Sequence, residues 1–234
     1  AKAHAHNHYW HKRPLLDAVD HGFTSVEADV YLRDGQLLVG HDPDELRPDR
    51  TLEALYLDPL SQRVARNQGH VYKTPSRFLL LIDIKDDLSA ARQQLRKLLE
   101  KYQKMLTRTI NGKTRPGAVT VVLSGEAPRE QLVSGNVVLA GADGRLADLE
   151  GTLPPVAAMP LISDRWYGHF TWKGQGPMPT AERRRLREVV SEAHQQGRLV
   201  RFWGTPDERE VWRELHEAGV DLLNNHDLSG LAAF

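Results

Sequence analysis

Phe78-Leu-Leu-Leu-Ile-Asp-Ile-Lys85 is an apolar run broken by one acid and closed by a lysine. Such a compact run fits a strand covered on both faces, as strands of parallel sheets are. Similar runs recur at Ser25–Leu32, Ala118–Leu123, Asn136–Ala140, Pro160–Ser163, Leu199–Trp203 and Val220–Leu223. With the residues before His6 they make eight predicted strands. Helical patterns lie between them. Residues 87–106 align Leu88, Ala91, Leu95, Leu98, Leu99, Tyr102 and Leu106 on one stripe. Residues 180–196 do the same with Leu186, Val189, Val190 and Ala193, up to Gly197. Thr205-Pro-Asp-Glu208 reads as a capping box opening a helix that Gly219 ends. Shorter helical patterns fall near 13–21, 51–66 and 126–133, and Asn111-Gly112 is a hairpin-turn pair. Strands alternating with helices predict an α/β fold, a (β/α)8 TIM barrel formed by residues 1–234 as a single domain. The competing open doubly wound sheet normally carries a Gly-rich phosphate turn, and neither GxGxxG nor a Walker motif is present.

Composition narrows the function classes. The 234 residues carry 31 basic and 31 acidic side chains, and this neutral balance argues against a general nucleic-acid binder. The absence of cysteine excludes a disulfide scaffold, thiol catalysis and zinc fingers. No apolar run approaches the ~20 residues of a membrane span, although contact with a membrane surface stays open. A monomer is the expectation. The chain opens without Met, as a mature secreted or periplasmic protein freed of its leader would, and equally as a shortened chain would.

In a barrel, chemistry sits where strands end. The first predicted strand ends in His4-Ala-His6-Asn7-His8-Tyr9. The second holds Glu27 and Asp29, whose i, i+2 spacing turns both carboxylates to one side. Gly40-His41-Asp42 follows the run Leu37–Val39, and the third barrel strand ends in Asp83-Ile-Lys85. An acid inside so apolar a run needs a cation or a base. Carboxylates and an Asn carbonyl are hard donors that suit Mg²⁺ or Ca²⁺ better than zinc. Two histidines beside such an ion suit acid–base work, and a lysine suits an anionic substrate. Together they indicate phosphoester chemistry.

Ala5-His6-Asn7-x-Tyr9 resembles the first-strand motif of metal-dependent phosphatidylinositol phospholipases C. Gly22, Val26-Glu-Ala-Asp-Val30, Asp34-Gly35 and Gly40-His41-Asp42 resemble the glycerophosphodiester phosphodiesterase signature, as does Leu81-Ile-Asp-Ile-Lys85. The AIM6-like (altered inheritance of mitochondria) subgroup of this superfamily is similar at further points: Arg13-Pro-Leu15, Arg201-Phe-Trp-Gly-Thr-Pro-Asp207 and Gly219-Val-Asp221. The resemblance implies a phospholipase C-like barrel and a phosphoric diester hydrolase of lipid or glycerophosphodiester metabolism. His6 would be the general base and His41 the general acid. Asn7, Glu27, Asp29 and Asp83 would bind one divalent cation, with Asp83 standing where Glu is usual. Lys85 would contact the phosphate. His8 departs from the subgroup, which has Asp there. The implied route is attack by a hydroxyl of the substrate itself, giving a cyclic phosphate. A sphingomyelinase D-like lyase and an inactive phosphate-binding barrel are the alternatives.

His4 shares a face with His6 and is read as a substrate contact, with a second catalytic role or a core position left open. Trp203 is read as lining the pocket, with core packing equally open. Ser163–Trp166 and Asn224–Asp227 follow late strands and are expected to face the barrel mouth. Ser124-Gly125 lacks the flanking pattern of a nucleophile elbow, and Arg183–Arg185 reads as a solvated helix face.

Overall fold

The computed structural model describes residues 3–6, 11–86, 88–125, 136–225 and 230–231. Its strands are β1 (Ala3–Ala5), β2 (Ser25–Arg33), β3 (Gln36–Val39), β4 (Phe78–Ile84), β5 (Arg108–Ile110) and β6 (Lys113–Arg115). They continue as β7 (Val119–Ser124), β8 (Val137–Val138), β9 (Ala140–Gly144), β10 (Leu161–Arg165), β11 (Leu199–Trp203) and β12 (Leu222–Asn225). The helices are α1 (Pro14–Asp20), α2 (Asp58–Arg66), α3 (Leu88–Lys101), α4 (Thr180–Gln195) and α5 (Arg209–Ala218).

Eight strands form a parallel barrel in the order β1, β2, β4, β7, β9, β10, β11, β12. The short β1 closes it, pairing with β12 through Ala3–Leu223 and with β2 through Ala5–Val26. Leu79, Leu81, Val122, Leu161 and Leu222 fill the interior as one apolar plug. The alternate strand residues, among them Val26, Leu80, Val121, Ile162 and Phe202, pack outward under the helices. Both faces are therefore buried, which explains the continuous apolar runs. Above the plug the inward positions turn polar, and that layer is the floor of the site. No helix among the described residues is long and apolar enough to cross a membrane.

β3 is antiparallel to β2 and extends the sheet beyond the barrel. The turn between them holds Asp34 at φ 49° and Gly35 at φ 74°, the paired left-handed residues of a tight hairpin. Asn111 and Gly112 make the same turn between β5 and β6.

Several elements differ from the sequence expectation. Asn136–Ala140 is not one strand. Val137–Val138 pairs with β5 in a small separate sheet, and Ala140–Gly144 is the barrel strand. That segment is poor in β-branched residues because it lies close to 157–160: a β-carbon on Gly141 would stand 2.7 Å from Pro160 Cδ. Helix α3 ends at Lys101 rather than 106. Beyond it Tyr102 and Met105 bond backward in tight turns, and Leu106 bridges to Val119. Helix α5 starts at Arg209, not at Thr205, and Glu208 precedes it in extended conformation without a side-chain cap. Thr205 Oγ1 is buried without a hydrogen-bond partner among the described residues, so the expected capping box does not form. Over 51–66 a π-turn at Glu53–Leu57 leads into α2, because Pro59 has no amide hydrogen for the regular ladder. The helix expected near 126–133 lies outside the described residues. Arg183, read as solvated, instead forks onto Glu214 and ties α4 to α5.

Candidate active site

Register builds the site. β2 lies beside β4 with Asp29 opposite Asp83, so two like charges sit on neighbouring strands. Glu27 is one pleat below Asp29 on the same side. The three carboxylates offer oxygens all within 4.8 Å of one another. Glu27 and Asp29 are almost fully buried, at 5% and 3% exposure. Burying such charges costs several kcal/mol each unless they are paired, so their partners decide what the cluster is.

Glu27 is held from the barrel seam. Arg201 of β11 donates from a terminal guanidinium nitrogen to Glu27 Oε2 at 2.7 Å. His4 Nε2 meets the same oxygen at 3.1 Å, and His6 Nε2 lies 3.7 Å from it. Arg201 is itself fixed by Asn224 Oδ1, which accepts from it at 3.1 and 2.8 Å. Burial opposes ionisation of Glu27, but Arg201, His4 and His6 outweigh it and hold the carboxyl below its ordinary range. Burial, and then Arg201, push the His4 imidazole down to about 3. A neutral His4 donates from Nε2 to Glu27 and accepts at Nδ1 from the Ser25 hydroxyl, 2.8 Å away.

Asp29 and Asp83 share Lys85, whose Nζ lies 3.1 Å and 2.6 Å from their Oδ2 atoms. Burial, then the charge of Glu27, push Asp29 up to about 7 against the pull of Lys85. Burial opposes the charge of Lys85, but Asp29 and Asp83 outweigh it and raise the ammonium above its ordinary range. The cluster therefore already draws in a cation. Three hard oxygen donors at this spacing fit a divalent ion such as Mg²⁺ or Ca²⁺. Glu27, Asp29 and Asp83 would hold it.

The carboxylates open on a cleft of about 190 Å³, which His6, His41, Lys85, Arg145 and Trp203 also line. His41 hangs just beyond β3. Its carbonyl accepts from the Tyr31 hydroxyl at 2.7 Å, its amide donates to Glu45, and its Nδ1 lies 3.2 Å from Asp42 Oδ2. On the far wall Arg145 pairs with Asp143 at 2.8 Å and donates to the Ser163 carbonyl at 3.0 Å. Asp143 also accepts from Ser124, and burial raises its carboxyl to about 6 against the pull of Arg145. A larger groove, about 540 Å³, runs between α3 and β8, but its lining includes no histidine and Glu100 as its sole acid.

The sequence-predicted residues His6, His41, Glu27, Asp29, Asp83, Lys85 and Trp203 thus border one cleft. Asn7 lies outside the described residues. His4 is corrected: it is fully buried, with both ring nitrogens engaged, and it supports Glu27 beneath the cleft rather than touching substrate. Ser163 is buried at an inward position opposite Arg201, and Trp166 is buried outside the cleft, stacking on Phe170 at 4.3 Å. Arg165 lies 5.8 Å from the Trp203 ring. Arg145, Arg201 and Asp143 were not singled out as site residues. Their signal was alternation: each lies at an inward position of a late barrel strand or at its end.

Comparison with known proteins agrees with the barrel fold. A family model described as the AIM6-like phosphodiesterase domain matches residues 1–138. The altered inheritance of mitochondria protein 6 homolog of Arthroderma benhamiae is 31% identical, covering 99% of this chain and 82% of that protein. Altered inheritance of mitochondria protein 6 of Eremothecium gossypii is also 31% identical, covering 100% and 69%. Among solved structures, the calcium-dependent phosphatidylinositol-specific phospholipase C of Streptomyces antibioticus has a TM-score of 0.65 at 13% identity, covering 99% of this chain and 94% of its own. The calcium-dependent phosphoinositol-specific phospholipase C of a Pseudomonas species has 0.63 at 14%, covering 97% and 89%. Glycerophosphodiester phosphodiesterase of Agrobacterium tumefaciens has 0.54 at 15%, covering 100% and 98%. With a family model over more than half its length and a relative 31% identical, this chain belongs to the AIM6-like phosphodiesterase domain family, on a barrel of the phospholipase C-like type.

Proposed function

We propose that this protein is a metal-dependent phosphodiesterase that cleaves glycerophosphodiester or phospholipid head-group phosphodiester bonds by histidine acid–base catalysis. The observation that carries the reading is the triad Glu27, Asp29 and Asp83 at the base of a cleft onto which both His6 and His41 open. A divalent cation bound by the three carboxylates would supply Lewis-acid polarisation of the phosphoryl oxygens. Two of the structurally similar proteins are calcium-dependent phospholipases C, so calcium is the first ion to test.

Charge supports an anionic substrate. The permanent cations Lys85, Arg145 and Arg201 stand around the carboxylates of the cleft, and a divalent ion held by those carboxylates would add further positive charge for a phosphodiester to meet. His6, beside Glu27, takes a proton from the attacking hydroxyl. His41, oriented through Nδ1 by Asp42, gives a proton to the departing alcohol. Lys85 and Arg145 hold the phosphate oxygens. An attacking hydroxyl carried by the substrate gives a cyclic phosphate and gains the effective concentration of an intramolecular reaction.

The test is hydrolysis of a chromogenic phosphodiester with calcium and with excess chelator, with ³¹P NMR of the product from a glycerophosphodiester. Metal-stimulated turnover with a cyclic phosphate signal is expected. Cation binding with no turnover on any phosphodiester would make the barrel a phosphate-binding module instead.

A further inference from the structure

Arg201 is an unusual residue to find inside a barrel. It is 2% exposed, and the carboxylate it meets is 174 residues away in sequence. Among the described residues, the nitrogens that pair with Glu27 do so at one oxygen: Arg201 at 2.7 Å, His4 Nε2 at 3.1 Å and His6 Nε2 at 3.7 Å all address Oε2. The other oxygen, Oε1, has no partner among the described residues. Arg201 cannot swing away, because Asn224 Oδ1 takes two of its N–H groups. His4 cannot turn over, because the Ser25 hydroxyl occupies its other ring nitrogen.

We propose that Arg201 is a positioning residue for cation binding: with Asn224 behind it and His4 beside it, it ties down Glu27 Oε2 and leaves Oε1 alone to take the ion. The inference rests on the metal-dependent reading above and adds to it the part that β11 and β12 play. A carboxylate with both oxygens free can chelate an ion or rotate off it. One with a single free oxygen presents a fixed, one-toothed ligand. The guanidinium suits this task because its planar fork reaches two oxygens at once, Glu27 and Asn224, where an ammonium offers a compact point charge. The arrangement also joins the seam of the barrel to the site, since β1, β2, β11 and β12 each contribute one or more of these groups.

A positioning role and a purely electrostatic one predict opposite results. Removing a positive charge beside a cation site tightens binding if charge is all that matters. Calcium and magnesium binding would be measured by isothermal titration calorimetry on the wild type, Arg201→Met, Arg201→Lys and Ser25→Ala, with circular dichroism as the folding control. Positioning predicts at least tenfold weaker binding in both Arg201 variants, and a smaller weakening of a few-fold in Ser25→Ala, which frees His4 to turn over. Ser25→Ala removes one hydroxyl and decides the matter alone should the Arg201 variants not fold. Equal or tighter binding in folded Arg201→Met, unchanged binding in folded Arg201→Lys, or unchanged binding in Ser25→Ala would overturn the role while leaving the metal-dependent reading in place. A wild type that binds neither ion would remove both.

Discussion

Gly125 borders Asp83 so closely that a β-carbon on it would stand 2.6 Å from Asp83 Oδ1. Its φ of +84° is also one that L side chains rarely adopt. The residue after β7 therefore makes room for a carboxylate of β4. Gly125→Ala combines the clash with backbone strain and should cost about 1–3 kcal/mol of stability. Calcium affinity, measured calorimetrically, should fall about tenfold as Asp83 is pushed aside, which converts to about 1.4 kcal/mol. Unchanged affinity would show that Asp83 is not a ligand.

The two imidazoles should separate catalysis from folding. His41 is exposed and lies beyond the barrel wall. His41→Ala should leave stability within about 0.5 kcal/mol, as surface changes usually do. His6→Ala and His41→Ala should each lower kcat/KM on a phosphodiester about 10²–10⁴-fold, the usual range for a lost acid or base. Steady-state kinetics beside thermal melts check both halves.

Cation binding should also appear as stability. A ligand at 100 times its Kd adds about 2.7 kcal/mol to the folded state. Calcium should raise the wild-type Tm and chelator should reverse the rise. In Asp83→Asn the rise should shrink or vanish, because one of three clustered oxygen donors is weakened. A calcium-dependent Tm that survives in Asp83→Asn would place the ion elsewhere.

Glu182 gives a pH prediction away from the site. Its carboxylate accepts from the Thr171 amide at 3.2 Å, the Thr171 hydroxyl at 2.6 Å and the Trp172 amide at 3.1 Å. Burial opposes its ionisation, but the Thr171 hydroxyl and the two amides outweigh that and lower its pKa. A lowered folded pKa means stabilisation that is complete above the unfolded carboxylate value of about 4.3 and is lost as pH falls through the folded value. Glu182→Gln should therefore cost about 1–2 kcal/mol at neutral pH. Urea titrations at several pH values should show the gap between wild type and variant closing in acid. A gap that widens in acid contradicts the argument.

The barrel was legible where its strands are continuous apolar runs. Phe78–Ile84 and Ser25–Arg33 are buried along most of their length, so their composition alone marks them. Ala140–Gly144 was not, because its small residues answer to a crowded neighbour rather than to strand propensity. Glu27, Asp29 and Asp83 stood out because an acid in an apolar run is costly without a partner. Arg145 and Arg201 did not, since arginine is ordinarily a surface residue, and the carboxylate that Arg201 meets comes from a distant strand. The burial of His4 was hidden for a similar reason: it depends on Ser25 and Glu27 across the seam.

The hairpin of β2 and β3 carries His41 clear of the barrel wall, and only its root is shared with the carboxylates, through the Gly40 amide on the Asp29 carbonyl at 3.2 Å. The loop that follows, through residue 50, must keep Asp42 and Glu45 on His41, but its other positions can change while the ion-binding floor keeps its shape. Relatives differing in which alcohol they release would be expected to diverge in this arm. A designer seeking new selectivity would randomise it first and leave the staves of the barrel alone.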